Sequence, residues 1–347
     1  MSDVAVVVTA FLIAFTVSAT ATPLLRLLAL RHGFVDRPSA RRAGPLQPRL
    51  GGVAMYLAFV AAVAVTAPFV EERTGEELRK VIGILLGGAL VCAIGAVDDR
   101  RELSFRPLGA VQLAAAGVAV GFGIVIDQLT NPFGTPLSES MVDIPYFVAV
   151  GFTVFWIVGA INTINFIDGL DGLAAGVTAI ASIVFFVHAW RLDQHSVALL
   201  PLALAGCSLG FLLYNFYPAR IIMGTSGAFF LGYALATISV LGGTKAATLL
   251  LVLGVPIVDT AWIVVGRVMS GHSPFHGDRT HLHHRLMQLG MGPPQIVLTF
   301  YLLCGGLGAL ALVLSSRLAK LYVLLGMALL LTAALVVIAQ RSIRSKA

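Results

Sequence analysis

Charge is scarce in this sequence. Of 347 residues only 12% are Asp, Glu, Lys or Arg, against 58% hydrophobic. A soluble globular domain carries about 25% charged residues, so a water-soluble core of this size is excluded and most of the chain belongs in a bilayer. Cysteine is scarcer still. Cys92, Cys207 and Cys304 each sit inside an apolar run, with no C-x-x-C spacing, and read as small core residues instead of thiolate ligands. Ahead of the first apolar run there is no basic stretch, and no small-residue cleavage pattern follows it. The chain from Val4 onward therefore reads as a retained span, not a cleaved leader. The runs lack the alternation of barrel strands, and no internal repeat of the kind common in transporters is visible.

What the sequence does contain is long Leu/Ala/Val-rich segments. Eleven can be drawn, near 3–25, 51–70, 81–97, 107–126, 146–164, 172–190, 197–216, 226–241, 246–266, 295–315 and 320–340. Each satisfies its own backbone only as a helix. The expectation is an all-α, polytopic transmembrane bundle forming a single domain over 1–347. Most of the 23 Lys and Arg fall in the loops near 26–50, 98–106, 217–225 and 267–294 and in the C-terminal tail, on the same face as the acidic loop 165–171. The positive-inside rule makes that face cytoplasmic, with the N-terminus outside and the C-terminus inside. The net charge of +6 then reflects basic loops and not nucleic-acid binding. The acids Glu71-Glu72 and Glu76-Glu77 on the other face read as solvated charges.

The chemistry gathers on the inner face. Asp98-Asp99 closes an apolar span at what would be a helix C-terminus, where acids are unfavourable unless a cation or basic partner offsets them. Paired acids suit magnesium–phosphate chemistry or proton abstraction. In Asn165-Phe166-Ile167-Asp168-Gly169-Leu170-Asp171-Gly172 the two acids share a face on a helical turn, and acids at membrane depth point to function. From Ser273 to Arg285 run four histidines, Asp278, Arg279 and Arg285. His281, His284 and Arg285 would share a helix face able to grip a diphosphate, with zinc as the rival reading. The loop Arg37-Pro38-Ser39-Ala40-Arg41-Arg42, followed by Pro48-Arg49-Leu50-Gly51-Gly52, suits either anionic lipid or an anionic nucleotide.

Together with Asn215-Phe216-Tyr217-Pro218-Ala219-Arg220-Ile221-Ile222-Met223-Gly224, these segments resemble, in order and over nearly the whole chain, the polyprenyl-phosphate N-acetylhexosamine-1-phosphate transferase family. The His281-Leu282-His283-His284 pattern is similar to the branch that uses UDP-N-acetylglucosamine and undecaprenyl phosphate. The resemblance implies transfer of a sugar 1-phosphate from a UDP-N-acetylhexosamine to a polyprenyl phosphate, releasing UMP, as the first membrane step of a cell-envelope glycan pathway. It implies a bacterial plasma membrane enzyme with Mg²⁺ as cofactor, manganese as the alternative, and leaves a homodimer open. Catalytic roles fall to Asp98, Asp99, Asp168 and Asp171. Substrate contacts fall to Asn165, Arg41, Arg42, Arg49, Asp278, Arg279, His281, His283, His284 and Arg285. Metal contacts fall to Asp99, Asp168 and Asp171, with Thr225 at the position of a further family ligand.

The sequence also departs from that family. Where the family reads Met-Gly-Asp, with an acid that ligates Mg²⁺, this chain reads Met223-Gly224-Thr225. A hydroxyl is a far weaker ligand, so Thr225 leaves two expectations beside full activity: an altered metal requirement, or a homologue that binds substrate without turnover. A family histidine is missing near Ala43-Gly44, and Glu102 stands near a third family acid.

Overall fold

The computed structural model describes residues 2–36, 46–70, 74–131, 141–241, 246–271, 281–314 and 316–344. The helices are α1 (Asp3–His32), α2 (Gly51–Thr66), α3 (Gly75–Arg101), α4 (Phe105–Gly121), α5 (Tyr146–Ile167), α6 (Leu173–Trp190), α7 (His195–Asn215), α8 (Gly224–Leu241), α9 (Ala246–Val252), α10 (Gly254–Met269), α11 (Leu282–Gln288), α12 (Pro293–Val313) and α13 (Arg317–Arg344). Two short antiparallel strand pairs interrupt them: β1 (Val35–Asp36) with β2 (Gln47–Pro48), and β3 (Gln128–Thr130) with β4 (Met141–Asp143). Among the described residues nine helices are long and apolar enough to cross a membrane. The chain is an all-α, multi-pass membrane protein.

Every one of the eleven expected segments falls on a helix, but two are not full-length single spans. The segment expected at 107–126 is α4, which stops at Gly121 before a turn through Gly123 at φ +83°. At 17 residues it rises about 25 Å, short of the roughly 30 Å hydrocarbon core. The segment expected at 246–266 is interrupted at Leu253, between α9 and α10. Pro256 explains the break, since it has no N–H to donate to the Val252 carbonyl four residues back and its ring crowds that carbonyl. The break is packed over, because Met327 of α13 lies against Gly254.

Local chemistry also corrects one reading. Glu76 is 68% exposed, as a solvated charge should be, and Glu71 and Glu72 lie outside the described residues, but Glu77 has a structural role. Thr74 Oγ1 accepts the Glu77 N–H at 3.1 Å and Glu77 Oε2 accepts the Thr74 N–H at 3.3 Å, a capping box that starts α3. Glu77 also accepts the Ser196 hydroxyl at 3.1 Å, and Glu76 pairs with Lys80 at 2.6 Å.

Lipid is as apolar as leucine, so helices in a bilayer associate through close packing of small residues and through hydrogen bonds. The core follows that rule around α8, whose spanning window is 83% buried, against 6% for α13 at the periphery. A Cβ added at Gly232 of α8 would sit 2.5 Å from the Ile161 Cα of α5. Gly87 of α3 lies against the Tyr233 ring, whose hydroxyl donates to the Gly83 carbonyl at 2.9 Å. Gly52 of α2 lies directly on the Gly227 backbone. On the far side α7 meets α1 in the same way. A Cβ at Gly206 or Gly210 would reach the Phe11 or Phe15 carbonyl at 2.6 or 2.5 Å, and Ser18 Oγ donates to the Cys207 carbonyl at 2.7 Å.

One consequence is measurable. Gly52→Ala should cost about 1–3 kcal/mol through forced separation of α2 and α8, read as a lower thermal midpoint in detergent. Gly117→Ala on α4, where nothing lies within 4 Å, should not lower the midpoint, since alanine favours a helix interior over glycine.

Candidate active site

The Asp98-Asp99 pair ends α3 beside the first turn of α8. Asp99 is 2% exposed. Its Oδ1 accepts the Thr225 N–H at 2.7 Å, and its Oδ2 accepts the Ser226 N–H at 3.2 Å and the Ser226 hydroxyl at 2.7 Å. The carboxylate thus caps the amino end of an 18-residue helix, where unpaired N–H groups and the helix dipole favour negative charge. That end is the offset the sequence required for acids at a helix C-terminus. Two glycines admit the contact. Gly224, at φ +71°, lies where any Cβ would overlap the Asp99 carboxylate, and a Cβ at Gly95 would sit 2.5 Å from the Ser226 Cα.

Asp98 faces the same turn. Its Oδ2 accepts the Thr225 hydroxyl at 2.5 Å and its Oδ1 accepts the Leu103 N–H at 2.7 Å. Arg49 completes this cluster. It bridges to Asp36 at 2.8 Å, and its charge also acts on Asp99. β2 holds it in place. The Arg49 N–H donates to the Phe34 carbonyl at 2.8 Å, the Ile222 N–H donates to the Pro48 carbonyl at 3.0 Å, and Arg49 pairs with Ile222 in a parallel bridge. Arg41 and Arg42 lie outside the described residues.

The second acid turn follows α5. Asn165 is on the last turn of α5, while Asp168 caps that helix, and all of Asn165, Asp168 and Asp171 are half-buried. Asp171 Oδ2 accepts the Ala219 N–H at 2.9 Å. Gly172, at φ +83°, donates its N–H to Asn215 Oδ1 at 3.1 Å, and Asn215 Nδ2 donates to the Ile221 carbonyl at 3.0 Å. The Tyr301 hydroxyl donates to the Gly172 carbonyl at 2.6 Å. The stretch from Asn215 to Ser226 therefore touches both acid sites, through Ala219 at one end and Thr225 at the other.

The histidine segment closes on this second turn. His281 is the N-cap of α11, with extended backbone, so it does not share a helix face with His284 and Arg285 as expected. It stacks instead on His283, with ring centroids 5.6 Å apart and planes at 9°. His283 is 1% exposed, and neither of its ring nitrogens has a hydrogen-bond partner among the described residues. A Cβ on Gly169 would lie 2.6 Å from His283 Nε2, so this ring abuts the Asp168–Asp171 turn. Burial, with help from the His284 and His281 charges, pushes His283 well below its ordinary value of 6.5. His284 and Arg285 are half-buried on α11, and Asp278 and Arg279 lie outside the described residues. Asp259 of α10, which the motifs did not include, receives His281 Nδ1 at 3.0 Å.

Among the described residues no three His, Cys, Asp or Glu side chains are placed to hold a metal ion together. Asp99 fits such a role poorly, since three donors occupy about three of the four lone-pair positions of a carboxylate. Asp168 and Asp171 fit it better. Mg²⁺ usually takes one or two carboxylates and completes its shell with water and substrate phosphate.

The profile of the family described as glycosyl transferase family 4 matches residues 81–243. A Bacillus subtilis (strain 168) protein named probable undecaprenyl-phosphate N-acetylglucosaminyl 1-phosphate transferase is 34% identical over 304 residues, covering 86% of this chain and 82% of that one. The chain belongs to glycosyl transferase family 4. A decaprenyl-phosphate N-acetylglucosaminephosphotransferase of Mycolicibacterium smegmatis is 33% identical over 319 residues, 82% of this chain and 76% of its own. A phospho-N-acetylmuramoyl-pentapeptide-transferase of Desulforudis audaxviator is 32% identical over 315 residues, 84% and 92% of the two chains. This family member is a sugar-phosphate transferase, and its profile match spans both acid turns and the segment that joins them.

Two measurements probe the site. Thr225→Asp would place a third carboxylate against Asp98 and Asp99. The thermal midpoint should drop by several degrees in chelator and recover in millimolar Mg²⁺, whereas the wild type should show little such response. The second concerns acid. An unfolded histidine titrates near pH 6.5 and folded His283 titrates lower, so its neutral ring contributes stability above about pH 6.5 that is lost as pH falls towards the folded value. Between about pH 7.5 and about pH 5.5, the wild-type midpoint should fall more than that of His283→Phe.

Proposed function

We propose that the chain transfers N-acetylhexosamine 1-phosphate, first of all N-acetylglucosamine 1-phosphate, from a UDP-sugar to a polyprenyl phosphate such as undecaprenyl phosphate. An oxygen of the lipid phosphate attacks the sugar-bearing phosphorus. The bond from that phosphorus to the bridging oxygen breaks, UMP leaves, and a lipid-linked diphosphate sugar forms. The observation that carries this reading is the convergence of two acid turns and a histidine segment at one end of an apolar bundle. There a substrate can enter laterally from the bilayer while another arrives from water. The names of relatives matching more than four-fifths of the chain support the same chemistry.

In this reading Asp98 takes the proton of the lipid phosphate, with its rotamer set by the Thr225 hydroxyl. Asp168 and Asp171 face the nucleotide diphosphate, and a divalent cation bound there would neutralise charge on the leaving UMP. Arg49, His284 and Arg285 supply donors for phosphate oxygens, joined by Arg41, Arg42 and Arg279, while Asp278, which only accepts, would receive a hydroxyl or N–H of the nucleotide sugar. The bundle sits in a bacterial plasma membrane with eleven membrane segments counting α4 and the α9–α10 pair, the N-terminus outside and the site facing the cytoplasm. A second copy of the chain as partner is part of the same proposal.

Purified protein in detergent, given radiolabelled UDP-N-acetylglucosamine and undecaprenyl phosphate, should form a lipid-linked product and UMP. A panel of UDP-sugars ranks the donors, and Mg²⁺, Mn²⁺ and chelator arms read the metal requirement. Asp98→Asn should lower the rate by at least about 100-fold, the lower range for loss of an acid–base group. Failure to form product with any sugar and any metal overturns the reaction. UDP-sugar binding without product would mark a binding homologue, the outcome that Thr225 makes worth testing.

A further inference from the structure

Asp259 lies in the interior of α10, outside every motif that drew attention in the sequence. It is 2% exposed, and a buried carboxylate is costly unless paired and hydrogen-bonded. Its two oxygens serve neighbouring groups. Oδ2 lies 3.0 Å from His281 Nδ1, and Oδ1 accepts the Leu282 N–H at 2.9 Å. An ionised carboxylate only accepts, so the proton of this bond belongs on Nδ1 and the lone pair of a neutral His281 is on Nε2. The same carboxylate pins the first turn of α11. With seven residues that helix is far too short to hold itself.

His281 passes this placement on. Its ring packs 5.3 Å from the Phe166 ring, between Asn165 and Asp168, and stacks on His283, which abuts Gly169. We infer that Asp259 is a positioning residue of the transferase. Through His281 it fixes the ring orientation and docks α11 against the Asp168–Asp171 turn, where the nucleotide diphosphate binds. The inference rests on the reaction proposed above. It adds a role for α10, the half of a broken span that carries the acid.

Asp259→Asn keeps the volume and removes the charge. It should elute as a single species with a near-native thermal midpoint, and lose about 10- to 100-fold in kcat/KM or in affinity for UDP by calorimetry, the range seen when the carboxylate behind a functional histidine is removed. A purely structural residue would lower the midpoint and act independently of His281. Here the double variant Asp259→Asn, His281→Gln should be no worse than His281→Gln alone. If Asp259→Asn does not fold, Asp259→Glu keeps the charge, displaces it by one methylene, and is read in the same way. Wild-type transfer and wild-type UDP affinity in the variant, or multiplicative losses in the double variant, overturn the inference. A wild-type protein that binds UDP but makes no product overturns the reaction alone, and the Asp259 arm is then decided on affinity. One that neither binds nor transfers overturns both.

Discussion

The site depends on a carboxylate from one helix seated on the amino end of another. Asp99 ends α3, where its charge opposes the dipole of its own helix, and it receives three donors from the first turn of α8. Interactions of this kind are worth up to about 2 kcal/mol when partly buried, and the ligand side of the cluster is built on them. With Asp99 seated, Thr225 reaches Asp98, and the preceding residues Ile222 and Met223 hold the segment around Arg49 through Pro48 and Gly52. Seating requires two backbones to approach without intervening Cβ atoms, which Gly95 and Gly224 provide.

The same economy of side chains runs through the membrane core. Gly52, Gly87, Gly206, Gly210 and Gly232 each meet a neighbouring helix at a distance that a methyl group would not allow. α8 is therefore gripped by α2, α3 and α5, and its amino end, which carries Thr225 and Ser226, is a rigid platform. The more exposed parts are the half-buried acids Asp168 and Asp171 and the half-buried residues of α11. Rigid and accessible groups thus meet along the 215–226 stretch, a suitable arrangement for a charged substrate that must displace water on binding.

Much of this was legible. The apolar runs mark all the long helices because span length follows from bilayer thickness. The acid turns and the histidines stood out because charge is rare elsewhere in the chain. The roles of individual residues were less legible. Asp99 reads in the sequence as a metal ligand, and in the fold it also accepts three hydrogen bonds from Thr225 and Ser226 of a helix far along the chain. His281 looked helical, but it caps α11 and turns to stack on His283. Asp259 was missed although an isolated acid in an apolar segment is itself a signal of function. Its partner is on a different element, so no local pattern announced it.

The sequence by itself determined the class: a polytopic helical membrane protein with acids and histidines gathered at helix ends and in the turns between helices. Those properties follow from local composition and from the thickness of a bilayer. Which carboxylate holds a helix, which histidine is buried, and which acid orients it were decided only by tertiary structure. A carboxylate's role is set by the donors brought to its oxygens, and here those donors come from helices distant in sequence.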